Sequence, residues 1–391
     1  MTTAGPGTDR RNQLLWVLSA ATFLIFFQAF MVAPLIPRFA RVFEVSVETV
    51  GLMVPAYLIP YGFTTLVYGP LSDRIGRRVV ILGSLSAFIL LTGVTAAAHS
   101  ASSLILLRLL TGLGASGVVP IALALMGDLF PYHERGRALG WLFGAMAGGM
   151  AFGSTTGAVL EPFIGWRALF LGVAVLSTAV LVALLPYQSL LSTRSPASVS
   201  VTATQLLASF GELLRSGRGA RTYAYVLFNG IFHSGTYTWL GLYFAQRYGL
   251  NEVGIGLALL GYGVPGFLLG PTIGRLADRW GRRWLIPAGI AIGGMSAATL
   301  AAVLLVTTLS LGYDMTQPLL AGIVTDLSPK RGLAMGLNVF TLFTGFGLGS
   351  LIFSGALRFG LDTAYLLFGA VALVAALFAV PLFRSEGAPR S

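Results

Sequence analysis

A chain of 391 residues that is 55% hydrophobic and only 10% charged, with a mean hydropathy of +0.82, lacks the polar skin of a soluble domain, in which about a quarter of residues are charged. A soluble enzyme, a nucleic-acid binder and a disordered scaffold are thereby excluded. The net charge of +11 does not mark a polyanion partner, because the basic residues sit in short connections between apolar runs.

At about 20 apolar residues per membrane crossing, stretches at 14–37, 47–70, 79–98, 102–127, 138–160 and 166–186 predict six spans. Six more follow at 222–246, 253–274, 284–304, 307–326, 333–357 and 363–383. Runs of this length favour helices over barrel strands, since each span must satisfy its own backbone hydrogen bonds in hydrocarbon. The first stretch is too long for a signal-peptide core, despite Arg10-Arg11 before it. The expected fold is an all-α membrane protein, with twelve transmembrane helices in two pseudo-symmetric six-helix bundles. The bundles occupy 1–186 and 222–391, joined by a linker at 187–221. Within that linker, apolar residues at 206, 207, 210, 213 and 214 fall on one helical face. They predict a short interfacial helix, either a plain tether or a partner site.

Loop charge sets the orientation. With the N-terminus inside, nineteen of the 25 basic residues lie in inside segments, and only Arg38, Arg41, Arg167, Arg247 and Arg358 lie outside. Both termini are therefore expected in the cytoplasm, and the compact loops suit a bacterial inner membrane. Cysteine is absent and the three histidines, His99, His133 and His233, are isolated. No disulfide, metal site or cofactor is expected.

The two halves repeat each other. Gly69-Pro70-Leu71-Ser72-Asp73-Arg74-Ile75-Gly76-Arg77-Arg78 follows the second span, and Gly274-Arg275-Leu276-Ala277-Asp278-Arg279-Trp280-Gly281-Arg282-Arg283 follows the eighth. Further echoes join Pro120, Asp128 and Pro131 to Pro318, Asp326 and Pro329, and Gly149 and Gly153-Ser154 to Gly345 and Gly349-Ser350. The first loop resembles the G-x-L-a-D-R-x-G-R-R/K hallmark of the major facilitator superfamily, and the twelve-span plan extends the resemblance over the whole chain. It implies that Asp73, at the positive end of a neighbouring helix, latches the halves in the outward-facing conformation. The arginines of the loop would either share in that switch or anchor the chain to the lipid surface. Gly69, Asp73, Arg74, Gly76, Arg77 and Arg78 form the first set, and Asp278, Arg279 and Arg282 the second. Asp128 and Asp326 are the natural partners of these arginines.

Ionisable groups inside spans are costly and mark function or a satisfied structural site. Arg108, in Arg108-Leu109-Leu110-Thr111-Gly112-Leu113-Gly114, resembles the family's R-x-x-x-G-x-G motif, which implies proton coupling. Snorkelling to the interface is the alternative. Asp314 is the one carboxylate predicted near the middle of a span and is the preferred protonation site, unless it is a structural hydrogen-bonded acid or lies at a wet boundary between spans nine and ten. Asn229, His233 and Tyr237 share one helical face of span seven. With Gln28, Tyr57, Tyr61 and Gln317 they are candidates for a substrate cavity, against the alternative of plain packing. Gly112-x-Gly114-x-x-Gly117 copies a dinucleotide fingerprint but follows no strand, and is read as close helix packing. Gly149-x-x-x-Gly153-Ser154-x-x-Gly157-Ala158 resembles an antiporter motif, with Ser154 in place of its proline and Ala158 in place of its last glycine. Many drug/proton antiporters carry an acid in the first span; 14–37 has none.

The resemblance implies a monomeric, proton-coupled exporter of small lipophilic or drug-like compounds working by alternating access, with substrate, protons and lipid as its only partners. A facilitator or symporter for a sugar or other small metabolite is the alternative within transport. A non-transporting membrane sensor is the alternative from another class.

Overall fold

The computed structural model describes residues 6–130, 132–192, 203–299, 304–328 and 331–387, and every regular element among them is helical. Seven stretches are long and apolar enough to cross a membrane, and one of these, Trp141–Leu191, holds two crossings. In antiparallel succession the helices make twelve spans. The first is Pro6–Phe30 with Ile36–Phe43, the second Val47–Gly51 with Met53–Ile75, the third Arg77–Thr95 and the fourth Ala101–Ala115 with Val118–Leu129. The fifth and sixth are the arms of Tyr132–Leu184, parted where Gly165 adopts φ 75°. The second half follows as Gly217–Thr238 with Leu240–Tyr248, Glu252–Leu259 with Val264–Trp280, Arg282–Thr299, Leu304–Asp326, Arg331–Ala356 and Leu361–Leu382.

Local chemistry explains where spans begin. Ser46, Ser100, Ser216 and Asn251 each accept a hydrogen bond from the third backbone N–H of the helix that follows, satisfying donors that a helix start leaves free. The two repeated loops turn at Gly76 and Gly281, with φ 96° and 76°, a region costly for any other residue.

Small residues decide how the spans pack. Lipid gives apolar helices no hydrophobic reason to associate, so close backbone approach replaces that drive. A Cβ on Gly149 would stand 2.5 Å from the Phe23 carbonyl oxygen, and Gly153 and Gly157 press on Phe27 and Met31 of the same first span. The second half repeats this: Gly345 and Gly349 press on Leu227 and Ile231 of the seventh. Gly112 lies against the Tyr57 backbone, Gly114 against Ala87 and Gly117 against Ser84, the close packing expected of that glycine triplet.

One face of the bundle gathers the chain ends. Arg10 donates to the carbonyl of Pro186, and Arg11 to that of Leu129. At the other end of the chain, Glu386 accepts from Arg218 at 2.7 and 2.8 Å and from Arg221, while its carbonyl takes the Arg283 N–H. The linker helix, Ala203–Arg215, lies on this face. Phe210 and Leu213 sit against Tyr223, Val324, Ala334 and Leu337, whereas Leu207 and Leu214 are exposed. The five-residue apolar face read from the sequence is therefore divided between protein and surroundings; the Leu206 side chain lies outside the described ones.

Glycine contacts join the halves along several seams. The second span meets the eleventh, with Gly62 against Phe343; the fifth meets the eighth, with Gly256 against Thr155; the first meets the seventh, with Gly241 against Pro34. On the face opposite the chain ends, Arg41 pairs with Glu252 across the halves.

Several boundaries differ from the sequence reading, and two of them bear on the site. The seventh helix starts at Gly217 rather than 222, because Ser216 supplies its cap. The tenth starts at Leu304, which places Asp314 well inside a helix rather than at a wet boundary. Among the described residues five spans are interrupted, near Met31, Leu52, Ser116, Trp239 and Leu260–Gly263.

Two outcomes follow for stability in detergent. Gly153→Ala forces its methyl into the Phe27 backbone and should lower stability by about 1–3 kcal/mol, while Gly144→Ala, with open space around it, should leave the unfolding midpoint unchanged. Burial alone would raise the Glu386 carboxyl, but the Arg218 hydrogen bond and the charges of Arg218, Arg221 and Arg282 hold it below the ordinary carboxylate value. Its stabilisation is then present above about pH 4.3 and is lost as pH falls through the lowered value. Glu386→Gln should remove that part of the acid sensitivity in thermal scans across pH.

Candidate substrate and proton site

Among the described residues of the first half a single cation is sealed in the interior. Arg108 is fully buried, which removes snorkelling as its explanation. Its guanidinium donates to the Gln28 side-chain oxygen at 2.7 Å, to the Gln28 and Ala29 carbonyls at 3.3 and 2.9 Å, and to the Met53 carbonyl at 3.4 Å. It also lies 4.2 Å from the Tyr57 ring centroid. Gln28 and Ala29 belong to the last turn before the first span breaks, so the positive charge meets the negative end of a helix. Tyr57 stacks on Tyr61, and Tyr61 on Phe343 of the other half at 4.7 Å. The Gln28 amide nitrogen and both tyrosine hydroxyls are buried and meet no protein partner.

The second half presents a different polar set. Asn229 donates to Gln317 at 3.1 Å and accepts from Thr316 at 2.9 Å, tying the seventh span to the tenth. His233 is buried between Phe232 and Tyr313 with neither ring nitrogen bonded to protein. Tyr237 donates to Ser154 at 2.6 Å, because the Ser154 hydroxyl already gives its proton to the Met150 and Ala151 carbonyls. The expected face of Asn229, His233 and Tyr237 is thus real, but its members meet three different surroundings.

Asp314 is partly buried in mid-helix. It accepts from Ser310 at 3.1 Å and from the backbone of Gly266. Ser310 accepts in turn from the Gly263 N–H at 2.8 Å. Gly263 and Gly266 open the second helix of the eighth span, so the carboxylate stands at a helix N-terminus. Asp314 and Arg108 lie in different halves and have different hydrogen-bond partners.

The repeated loops are only partly placed. Arg77 pairs with Asp128, and Arg282 with Asp326 at 3.2 Å, as the repeat predicts. Arg74 and Arg78 are exposed, and a side chain at Gly69 would meet open space. The side chains of Asp73, Asp278 and Arg279 lie outside the described residues, as do Pro131, Pro329 and Lys330.

With this geometry established, the sequence model described as Major Facilitator Superfamily matches residues 18–261 and 249–391. The chain belongs to the major facilitator superfamily. It is 27% identical over 349 residues to the MFS-type transporter YceJ of Bacillus subtilis (strain 168), covering 86% of this chain and 87% of that one. A chloramphenicol resistance protein of Pseudomonas aeruginosa is 32% identical over 141 residues, covering 36% of this chain and 34% of its own. The crystal structure of a bacterial homolog to the human lysosomal transporter Spinster, in an inward-facing and unoccupied conformation, matches with TM-score 0.74 at 18% identity, over 99% of this chain and 100% of that one. As a member of this superfamily the chain is a multi-pass membrane transporter and not an enzyme.

The sequence reading missed Ser310, Tyr262, Thr316 and the partnership of Ser154. Ser310 stands one turn before Asp314, a spacing that could have flagged it. Ser154 was noticed only as a lost proline, and nothing in the sequence identifies Tyr237 as its partner.

Arg108→Lys keeps the charge but cannot reproduce the forked contacts. Stability should fall by about 1.5–3 kcal/mol, read as a lower unfolding midpoint, with a smaller loss for Gln28→Ala.

Proposed function

We propose that this transporter exports small lipophilic compounds in exchange for protons, by rocking its two halves about a central site. The observation that carries the reading is Asp314, a carboxylate in the middle of a span whose hydrogen bonds come from Ser310 and the Gly266 backbone. An acid so placed can pass between charged and neutral forms without breaking an ion pair, which suits competition between a proton and a substrate. The aromatic wall between the halves, with Phe26 and Phe30 facing Phe343, Phe346 and Tyr237, favours an apolar solute. The drug-resistance name of the Pseudomonas aeruginosa relative points the same way.

Gln28, Tyr57, Tyr61, Asn229, His233, Tyr237 and Gln317 would contact the substrate. Asp314 would carry the proton, and Arg108 would fix the shape of the first half rather than titrate. The repeated loops, through Asp73, Arg77, Asp128 and their counterparts Asp278, Arg282 and Asp326, would set the balance between conformations. Loop charge supports a cytoplasmic position for both termini and a bacterial inner membrane as the location. A monomer suffices for this mechanism.

The test is substrate-evoked proton release from purified protein in weakly buffered detergent, screening chloramphenicol, lipophilic cations and sugars. A lipophilic compound should release protons from the wild type and none from Asp314→Asn. Binding without release for every compound would overturn exchange and favour a facilitator; release that persists in Asp314→Asn would move the proton site elsewhere.

A further inference from the structure

The interruption in the eighth span divides two loyalties. Before it, Glu252–Leu259 packs on the fifth span of the other half, with Gly256 against Thr155, Ala158 and Val159. After it, Val264–Trp280 packs on the tenth and ninth spans of its own half. Between them, Leu260–Gly263 forms a turn that ends with Gly263 at φ 89°. The turn touches both sides. Tyr262 packs on Tyr237 with ring centroids 4.3 Å apart, Tyr237 is bonded to Ser154 of the other half, and a Cβ on Gly263 would stand 3.1 Å from Ala151 there. On its own side, the Gly263 N–H is held by Ser310, and the Gly266 backbone by Asp314.

The break therefore leaves free N–H groups inside the bundle, and Ser310 and Asp314 satisfy two of them, on Gly263 and Gly266. An ionised carboxylate also stabilises the positive end of the helix it faces, and a protonated one does so much less. The titratable groups around Asp314 are Tyr262 of the eighth span, Tyr313 of its own, and His233 and Tyr237 of the seventh. The ninth span presents Gly289 to Met315 and Thr316, and the fifth presents Ala151 to Gly263. No described arginine acts on the carboxylate.

We propose that the eighth-span break is the transmission between proton binding and the movement of the halves, with Ser310, Tyr262 and Gly263 as its positioning residues. This rests on Asp314 as the proton site. With Asp314 ionised, the break is held in the geometry that seats Glu252–Leu259 against the fifth span. Protonation removes the charge from the helix end, the turn loosens, and the seat on the other half weakens. Ser310 bridges the acid and the turn; it exchanges no proton with substrate.

The chain contains no cysteine, so paired labels can be introduced cleanly. Val42→Cys and Tyr248→Cys place spin labels at exposed positions of opposite halves, on the face away from the chain ends. Distances between them are measured from pH 8 to pH 5. In the wild type the short-distance population should fall as pH falls. Asp314→Asn should show the low-pH distribution throughout, with no response.

Ser310→Ala removes a hydrogen bond that favours the ionised acid, so the transition should move to higher pH. Gly266→Ala is an independent variant that keeps every titratable group. Its methyl would stand 2.6 Å from Asp314 Oδ1, displacing the carboxylate from the helix end, and should move the transition in the same direction. Unchanged distributions in Ser310→Ala and Gly266→Ala would overturn the proposal, as would a wild-type response in Asp314→Asn. Proton release separates the two readings. If Asp314→Asn abolishes release but leaves the distances responsive to pH, the exchange stands and the transmission fails. If the distances respond as proposed but no compound releases protons, the transmission stands and the exchange fails.

Discussion

A charge inside a lipid-embedded bundle must find oriented dipoles or an opposite charge, and here the ends of broken helices supply the dipoles. Arg108 sits on the carbonyl end of the first span's long helix, and Asp314 on the amide end of the second helix of the eighth. Each charge takes the helix end of opposite sign. Neither therefore needs an ionic partner, and among the described residues no buried salt bridge ties the two halves together.

The same interruptions that create these dipole sites also shape the seams. Straight spans would satisfy all their backbone groups internally and offer nothing to a buried charge. Small residues then let the spans approach closely enough for the interruptions to be shared. Gly149, Gly153 and Gly157 fix the fifth span on the first, and Gly345 and Gly349 fix the eleventh on the seventh. Within each half the spans meet by backbone contact, while between the halves glycine contacts such as Gly241 on Pro34 and Gly256 on Thr155 are joined by aromatic faces, which can slide and re-form.

The architecture was legible in the sequence because hydropathy and the internal repeat report directly on span number and symmetry. The pairs Arg77–Asp128 and Arg282–Asp326 were legible for the same reason: a repeat places equivalent residues in equivalent loops. Arg108 and Asp314 were found as expensive residues in apolar runs, but their partners were not. Backbone carbonyls and N–H groups belong to every residue, so no side-chain pattern announces which of them a break will free. The hydroxyl of Ser154 was hidden for a related reason, since its partner Tyr237 lies 83 positions away in the other half. Asn229, His233 and Tyr237 share a face by periodicity, yet only contact distances distinguish the bonded amide from the unbonded imidazole.

The seal on the face away from the chain ends has a consequence of its own. The Arg41 side chain is 62% exposed and that of Glu252 21%, so the ion pair that crosses the halves there stands largely in solvent. Such a pair contributes about 0–1 kcal/mol and is screened by dissolved salt over roughly 10 Å at 0.1 M. That pair's share in the closure is shallow, and its depth is set partly by the ionic strength of the medium bathing that face. The resting balance of the molecule is then a property shared with its surroundings, and brine and dilute buffer do not meet the same equilibrium.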